Sequence, residues 1–515
     1  MTQLGEQDAA PKQKWAKVVD HTLCIGCHAC STACKSENAV PLSVNRTYVK
    51  YVDVGTFPNV RRNYQVTRCN QCDNAPCVAA CPTSAMYARP DGIVDFDKSI
   101  CIGCKACIAA CPYDAIFMNP EDHSAEKCNF CAHRLDIGLE PACVVVCPTE
   151  AILVGDMLDP TSKVSKTIQR YPISVRRPEK ETRPKLFYRG VTQATLDPLA
   201  AQRPAGGLFM WSEQTTGPEH VVSGHPDKPN SSAAAMLSYD VPHKMPWDWR
   251  VSAYTWTKAI AAGAYVVGGL ATYFGLINSA HILWQWVIPL LSLLFLGITG
   301  ALLIWDLDHP KRFYLIFTHG QRRSWLVKGA YIIAAYSAIL VGHLLCSLIG
   351  SHQLQLALLV PGVPLAIMTA VYTAYLFAQA KARDLWQSPL LPPHMAVQAV
   401  LAGAAALFIV AALLPGGMPS RLPLALLWTV ALSSATHLLF VLGEITLAHP
   451  TAHAALAVKE MTRGRYAGYF RAGAVLLAAG VLAPWLTIGG AALALIGLAL
   501  HEHAYVQAGQ SVPLA

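Results

Sequence analysis

Sixteen of the seventeen cysteines in this 515-residue chain lie between Cys24 and Cys147, in four sets of four. Cys24, Cys27, Cys30 and Cys34 are spaced C-x2-C-x2-C-x3-C, and Cys69, Cys72, Cys77 and Cys81 follow as C-x2-C-x4-C-x3-C. Cys101, Cys104, Cys107 and Cys111 repeat the first spacing, and Cys128, Cys131, Cys143 and Cys147 close the series with a longer internal gap. Pro82, Pro112 and Pro148 each follow the last cysteine of a set. Three close thiolates plus a distant fourth suit a cubane iron–sulfur cluster, and in the bacterial run the fourth cysteine serves the other cluster of a pair. Zinc also takes four thiolates but gives no reason for the repeated C-x2-C-x2-C-x3-C-P. A disulfide framework fits poorly, because no export signal is expected: residues 1–20 are polar and lack an apolar stretch. Cys24-Ile25-Gly26-Cys27-His28 also reads as a haem-attachment string, C-x-x-C-H. Accepting it would remove two ligands from an otherwise complete set.

Short elements must hold these loops. Val78–Ala80 and Ala106–Ala110 read as single helical turns, and residues 92–96 alternate like a strand after Pro90-Asp91-Gly92. One phrase recurs: Cys-Pro-Thr-Ser-Ala-Met at 81–86, Cys-Pro-Tyr-Asp-Ala-Ile at 111–116 and Cys-Pro-Thr-Glu-Ala-Ile at 147–152. An internal repeat of this kind points to duplicated two-cluster ferredoxin units. The predicted architecture is an α+β duplicated ferredoxin domain with four [4Fe–4S] clusters over 1–165, then a proline-rich extended linker over 166–248. An all-α bundle of eight transmembrane helices over 249–515 completes it. The linker reading rests on Pro172, Pro178, Pro184, Pro198, Pro204, Pro218, Pro226, Pro229, Pro242 and Pro246, among which no period survives.

Composition agrees with a membrane half. The chain is 53% hydrophobic and 14% charged, with mean hydropathy +0.33, and the apolar content lies after residue 250. The formal charge of +8 does not indicate nucleic acid, since thiolate-bound clusters are themselves anionic and offset it. Apolar segments at about 252–277, 283–305, 325–349, 358–380, 394–414, 423–447, 468–487 and 489–508 are each near the length of a bilayer crossing. Lys311, Arg312, Arg322 and Arg323 follow the second, Lys381 and Arg383 the fourth, and Lys459, Arg463 and Arg465 the sixth; the opposite side shows only Arg421. The positive-inside rule puts the basic side, and with it the cysteine domain, in the cytoplasm of an inner-membrane protein.

On its cysteine sets, residues 15–155 resemble the four-cluster electron-transfer subunit of molybdopterin oxidoreductases of the dimethyl sulfoxide and polysulfide reductase type. In that family the sets nest, first with fourth and second with third. The resemblance implies one cluster on Cys24, Cys27, Cys30 and Cys147, and a second on Cys128, Cys131, Cys143 and Cys34. A third would fall on Cys69, Cys72, Cys77 and Cys111, and the last on Cys101, Cys104, Cys107 and Cys81. The membrane half resembles the polysulfide reductase (NrfD-type) quinone-reactive anchors. The matching residues are Tyr254-Thr255-Trp256-Thr257-Lys258, residues 305–313 from Trp305-Asp306 to Arg312-Phe313, Ser388-Pro389-Leu390-Leu391-Pro392 and the closing 508–514. Electron wire and anchor, usually separate subunits, are fused here.

The resemblance implies a separate molybdenum or tungsten pterin catalytic subunit, exchange with menaquinone or ubiquinone, and no haem. Ionisable groups within spans are costly and mark sites, so Asp306, His309, Lys258, Glu444 and His437 are the quinone-site candidates. Competing readings are pairing of Asp306 or Asp308 with Lys311 or Arg312, and snorkelling of Lys258. His501, Glu502 and His503 read as wet interfacial residues, and Cys346 as a small buried filler. His343 with His437 would be a weak haem pair, at different depths. No pterin site, nucleotide loop or nucleophile triad is evident, so sulfur oxyanions, arsenic oxyanions and formate stay open as the partner's substrate. The alternative is a conduit or scaffold subunit without quinone chemistry of its own.

Overall fold

The computed structural model describes residues 13–202, 235–415 and 417–514. These fall into two compact units: one runs to Pro246 and takes in Pro513 and Leu514, the other spans Trp247–Val512.

The first unit is built on short strands. Thr47–Val54 and Arg61–Arg68, rich in valine, tyrosine and threonine, pair antiparallel over their full lengths. A second sheet has the order Ile152–Asp156, Trp15–Asp20, Leu186–Arg189, Ile173–Ser174. Two small hairpins, Met86–Ala88 with Val94–Phe96 and Ile116–Met118 with Ala125–Lys127, each follow a Cys-Pro phrase. The predicted turns form as helices at Pro76–Ala80 and Ala106–Ala110.

The expectation of an extended tether over 166–248 is corrected by its described parts. Leu186–Arg189 runs parallel to Trp15–Asp20, and Ala235–Tyr239 adds antiparallel to Thr47–Val54. Lys163–Arg170 is a helix, capped by Ser162 Oγ accepting from the Ser165 amide. Runs of four or five residues between prolines are too short to show a period, yet long enough to fill the open edge of a sheet. Pro204, Pro218, Pro226 and Pro229 lie outside the described residues.

The second unit is helical. Among the described residues, five helices are long and apolar enough to cross a membrane: Leu283–Trp305, Trp325–Leu348, His352–Gln379, Leu391–Leu413 and Leu422–Thr446. The segments expected as first, seventh and eighth spans are helical over Trp249–Tyr273, Ala467–Val481 and Ile488–Ser511. Glycine brings two of these helices into backbone contact: a Cβ on Gly403 would sit 1.9 Å from the Gly263 carbonyl carbon. Small residues at such a crossing are the usual device of packed membrane helices. Outward faces carry Leu294, Leu432, Leu439, Val475 and Ile496, all well exposed, as lipid contact requires.

Candidate functional site

The cysteine loops are shaped by left-handed residues at repeated positions. Gly26 and Gly103 (both φ 69°) precede Cys27 and Cys104, and His28 and Lys105 (φ 59° and 60°) follow them. A side chain on Gly26 would also strike the Tyr64 ring, so this turn requires glycine. Ser84, Asp114 and Glu150, at equivalent places in the Cys-Pro phrase, have φ of 57°, 49° and 52°. Such turns aim backbone amides at one point, forming nests for anions. The amides of Met86 and Ala151 donate to Cys81 Sγ and Cys147 Sγ at 3.4 and 3.3 Å. Those of Gln71 and Ala125 donate to Cys69 Sγ and Cys101 Sγ, each at 3.5 Å.

The sulfurs gather in fours. Cys24 lies among Cys147, Cys27 and Cys30. Cys34 faces Cys128, Cys143 and Cys131. Cys77 faces Cys69, Cys111 and Cys72, and Cys107 faces Cys104, Cys81 and Cys101. Neighbouring tetrads follow one another closely enough for their thiols to feel each other's charge: Cys30 and Cys143, Cys128 and Cys69, Cys77 and Cys107. The two inner tetrads are wholly buried, whereas Cys27 is exposed and Cys24, Cys147 and Cys104 are partly so.

All seventeen cysteines are free. Burial pushes the thiols of Cys34, Cys72 and Cys111 up to about 12, so these sulfurs are poor thiolates unless a cation offsets them. Burial would raise Cys143 too, but Lys17 and Arg68 overrule it and hold the thiol below its usual range. Arg68 Nη1 donates to Cys143 Sγ at 3.0 Å and Lys17 Nζ stands 3.9 Å from it. Cys81, Cys101, Cys104 and Cys107 line a small cavity of about 20 Å³ with Met86 and Phe96. Tetrads of free sulfur, amide donors, buried cations and this cavity fit a cubane cluster with thiolate ligands.

In the helical unit, Lys258 is 2% exposed. Its Nζ donates to Thr373 Oγ1 at 2.5 Å and lies 4.8 Å from the Tyr372 ring centre. The Tyr254 side chain stands beside Tyr372, Thr373, Asp306 and Glu502. Glu502 lies beside Thr255 and Gln398 and faces Lys258. Two candidates, Lys258 and Asp306, are therefore drawn into one polar cluster. Asp306 lies 3.9 Å from Arg250, closing the near end of the cluster. His309 opens the turn Pro310–Arg312 and is half-buried. Glu444 lies near Tyr505, whose hydroxyl donates to the Leu385 carbonyl at 3.3 Å. His437 packs elsewhere, 2.8 Å from His394, and His343 bonds to the Trp284 carbonyl at 3.0 Å.

Two family models match the sequence. One, for a 4Fe-4S dicluster domain, covers residues 60–157; the other, described as polysulphide reductase, NrfD, covers 239–512, more than half of the chain. The chain therefore belongs to the polysulphide reductase NrfD family. Among similar proteins is an iron–sulfur-region relative from Wolinella succinogenes, named as a chain of polysulfide reductase. It is 46% identical over 178 residues, which are 34% of this chain and 93% of that one. A tetrathionate reductase subunit of Salmonella typhimurium is 40% identical over 211 residues, 40% of this chain and 83% of its own. An arsenate respiratory reductase iron-sulfur subunit of a Shewanella species is 37% identical over 219, covering 33% and 94%. This NrfD-family chain is thus a multi-pass membrane protein with an iron–sulfur region fused to its anchor.

Within the NrfD region the reading of residues 501–503 is corrected. His501 and Glu502 are 2% and 4% exposed rather than wet, because their helix runs on to Ser511 and places them mid-bundle. Cys346 is partly exposed, not a buried filler. His394, Gln398, Thr373 and Tyr505 went unnoticed in the sequence: polar residues on helices that look uniformly apolar give no period to mark which face they share.

Proposed function

We propose that this chain is the electron-transfer and membrane-anchor subunit of a quinone-linked oxidoreductase complex, whose separate catalytic subunit carries a molybdenum or tungsten pterin. The observation that carries the proposal is the succession of four cysteine tetrads, dry in the middle and reached by solvent at the ends. The nested ligand sets follow: Cys24, Cys27, Cys30, Cys147; then Cys34, Cys128, Cys131, Cys143; then Cys69, Cys72, Cys77, Cys111; then Cys81, Cys101, Cys104, Cys107. Four [4Fe–4S] clusters, when bound, supply one-electron relay stations. The protein's part is to fix their order, exclude water from the inner pair and set the charge around each. Relatives named as chains or subunits of reductases support a separate catalytic partner.

Quinone reduction needs hydrogen-bond partners at each carbonyl and a source of two protons. In the NrfD region we assign the carbonyl donors to Lys258 and Tyr254, steadied by Thr373. Glu502, beside Thr255 and Gln398 and facing Lys258, is the group that takes and returns a proton. Asp306 stands beside Tyr254 at the other end of the cluster, with His309 following it in the loop, while Glu444 is a second carboxyl, reached through Tyr505. Eight helical segments support eight crossings, menaquinone or ubiquinone being the exchangeable substrate. The lysine and arginine bias supports an iron–sulfur unit on the cytoplasmic side of the inner membrane. A cytoplasmic partner needs no export and suits an oxidation that feeds the quinone pool.

Low-temperature EPR of isolated membranes during a redox titration, with and without a quinol-site inhibitor, tests the reading. Four interacting cubane signals, one of which responds to the inhibitor, are expected. Four signals indifferent to inhibitor would leave a conduit without quinone chemistry, and fewer than four would sink the ligand assignment.

A further inference from the structure

We infer that His394, His437 and His501 form a binding site for one imidazole-seeking transition-metal ion, zinc(II) or copper(I), separate from the iron–sulfur clusters. The three residues come from three helices, Leu391–Leu413, Leu422–Thr446 and Ile488–Ser511. Their side chains are all buried, at 4%, 0% and 2% exposure. One ring nitrogen from each lies within 4.8 Å of the other two. His394 Nε2 is 2.8 Å from His437 Nδ1, and the His501 ring meets the His437 ring edge-on at 4.6 Å between centres.

Nitrogens bound to zinc at about 2.0–2.1 Å stand roughly 3.3 Å apart in a tetrahedral site. The observed spacing brackets that value, so rotation of the rings about their side-chain bonds suffices to converge them. The fourth position of such a site stays open for water or another ligand.

The second observation is an unsatisfied atom. His437 Nε2 is buried and has no hydrogen-bond partner among the described residues. Buried imidazoles ordinarily satisfy both ring nitrogens. His343 in the same unit does so, with the Trp284 carbonyl at 3.0 Å and the Tyr265 hydroxyl at 3.3 Å. Three clustered imidazoles with an orphaned nitrogen are costly at membrane depth, and a shared cation removes that cost.

The surroundings suit such an ion. Phe440 stacks on His394 at 5.2 Å and Phe470 lies 6.3 Å from His501, walls that fix the rings and keep water out. Glu444 lies two helical turns beyond His437 and near Tyr505, which is one turn beyond His501. Imidazole favours zinc, copper, iron and nickel over the hard cations.

The experiment is metal analysis of the full chain purified with its partner from membranes. About one equivalent of a single non-iron metal per chain is expected, with an X-ray absorption edge showing imidazole scattering. Chelation followed by Co²⁺ should restore about one equivalent and give the visible bands of tetrahedral cobalt. His437→Gln and His501→Gln should each lose the metal while iron content and cluster EPR stay unchanged. The inference is overturned if the wild-type chain holds under about one-tenth equivalent and takes up neither Zn²⁺ nor Co²⁺. It is equally overturned if the metal persists in His437→Gln, which would mark it as adventitious. Should the variants fail to accumulate, the metal content and edge spectrum of the wild-type chain decide.

Discussion

The two units bury charge in opposite ways. In the iron–sulfur unit the buried charged groups include cations with no matching carboxylate against them among the described residues. Arg68 is 1% exposed, bonds to Cys143 Sγ, and leaves Nε and Nη2 without hydrogen-bond partners. Lys127, 0% exposed, donates to the Val94 and Cys128 carbonyls and lies near Cys69 and Cys77. A buried unpaired cation costs several kcal/mol, so these residues make sense as countercharge to an anionic guest. Around Lys258 in the membrane unit the buried groups answer one another instead: Lys258 donates to Thr373 and faces Glu502, beside which Gln398 lies. That arrangement suits a neutral guest which needs dipoles and protons rather than balancing charge. The comparison teaches that the cysteine unit is incomplete without its cofactors, whereas the polar cluster of the membrane unit is already self-consistent.

Removing a guest from the first unit should break the comparison hardest. Cys72→Ala strips one ligand from an inner tetrad and leaves Lys127 beside an emptied site. We expect loss of about four iron atoms per chain and at least a hundredfold drop in quinol-linked turnover, read by iron analysis and membrane assay. Lys258→Met attacks the second unit instead. Quinone turnover should fall at least tenfold with iron content and cluster EPR unchanged, and Lys258→Arg should recover part of it. If Lys258→Met altered the clusters, the two units would not be separate charge systems.

Much of this division was legible in the sequence, for a physical reason. Cluster ligation is local: cysteines two and three apart must share one loop, so Cys101, Cys104 and Cys107 announce themselves. Three of the four distant cysteines that the nesting implies, Cys81, Cys111 and Cys147, are marked by the proline after them; Cys34 is not. The membrane helices were legible from apolar length alone. The polar cluster was not, because Lys258, Thr373 and Glu502 are far apart in the chain and meet only through helix packing. The same long-range pairing hid the fate of the proline-rich stretch, whose Leu186–Arg189 and Ala235–Tyr239 find partners more than 150 residues earlier. His501 was misjudged because nearness to the end of an apolar run suggested an interface, while the helix continues to Ser511.

Packing gives the next largest effect. Gly403→Leu drives a side chain into the Gly263 backbone, where even a Cβ would be 1.9 Å away. Overpacking of this kind costs about 1–3 kcal/mol or more, and the complex should lose thermal stability in detergent. Gly297→Ala is the control: nothing lies within 4 Å of its Cβ, so stability should hold or rise slightly. In the other unit, Arg68→Gln removes the countercharge at Cys143 while keeping much of the packing. The midpoint potential of the cluster assigned to Cys34, Cys128, Cys131 and Cys143 should fall by something on the order of 100 mV, as a unit charge a few ångströms away predicts. Arg68→Lys should restore most of it. Equal loss in both variants would mean that shape, not charge, is what Arg68 supplies.

The smallest effect concerns a buried ion pair in the iron–sulfur unit that is independent of any guest. His243 is wedged between Asp114 and Asp240, donating to Asp114 through Nδ1 and lying 3.0 Å from Asp240 Oδ1 through Nε2. Burial alone would lower its pKa, but Asp240 and Asp114 overrule it and push it up to about 9. A pKa raised on folding contributes stability that is complete below the ordinary histidine value and disappears as pH rises through about 9. Asp114 is also one of the left-handed residues of the Cys-Pro phrase that presents Cys111. Raising the pH from 7 to 10 should therefore loosen the turn at Cys111, seen as earlier thermal bleaching of the iron–sulfur absorbance. His243→Gln should start less stable and show a flatter pH profile over that range. An unchanged profile in His243→Gln would assign the alkaline loss elsewhere.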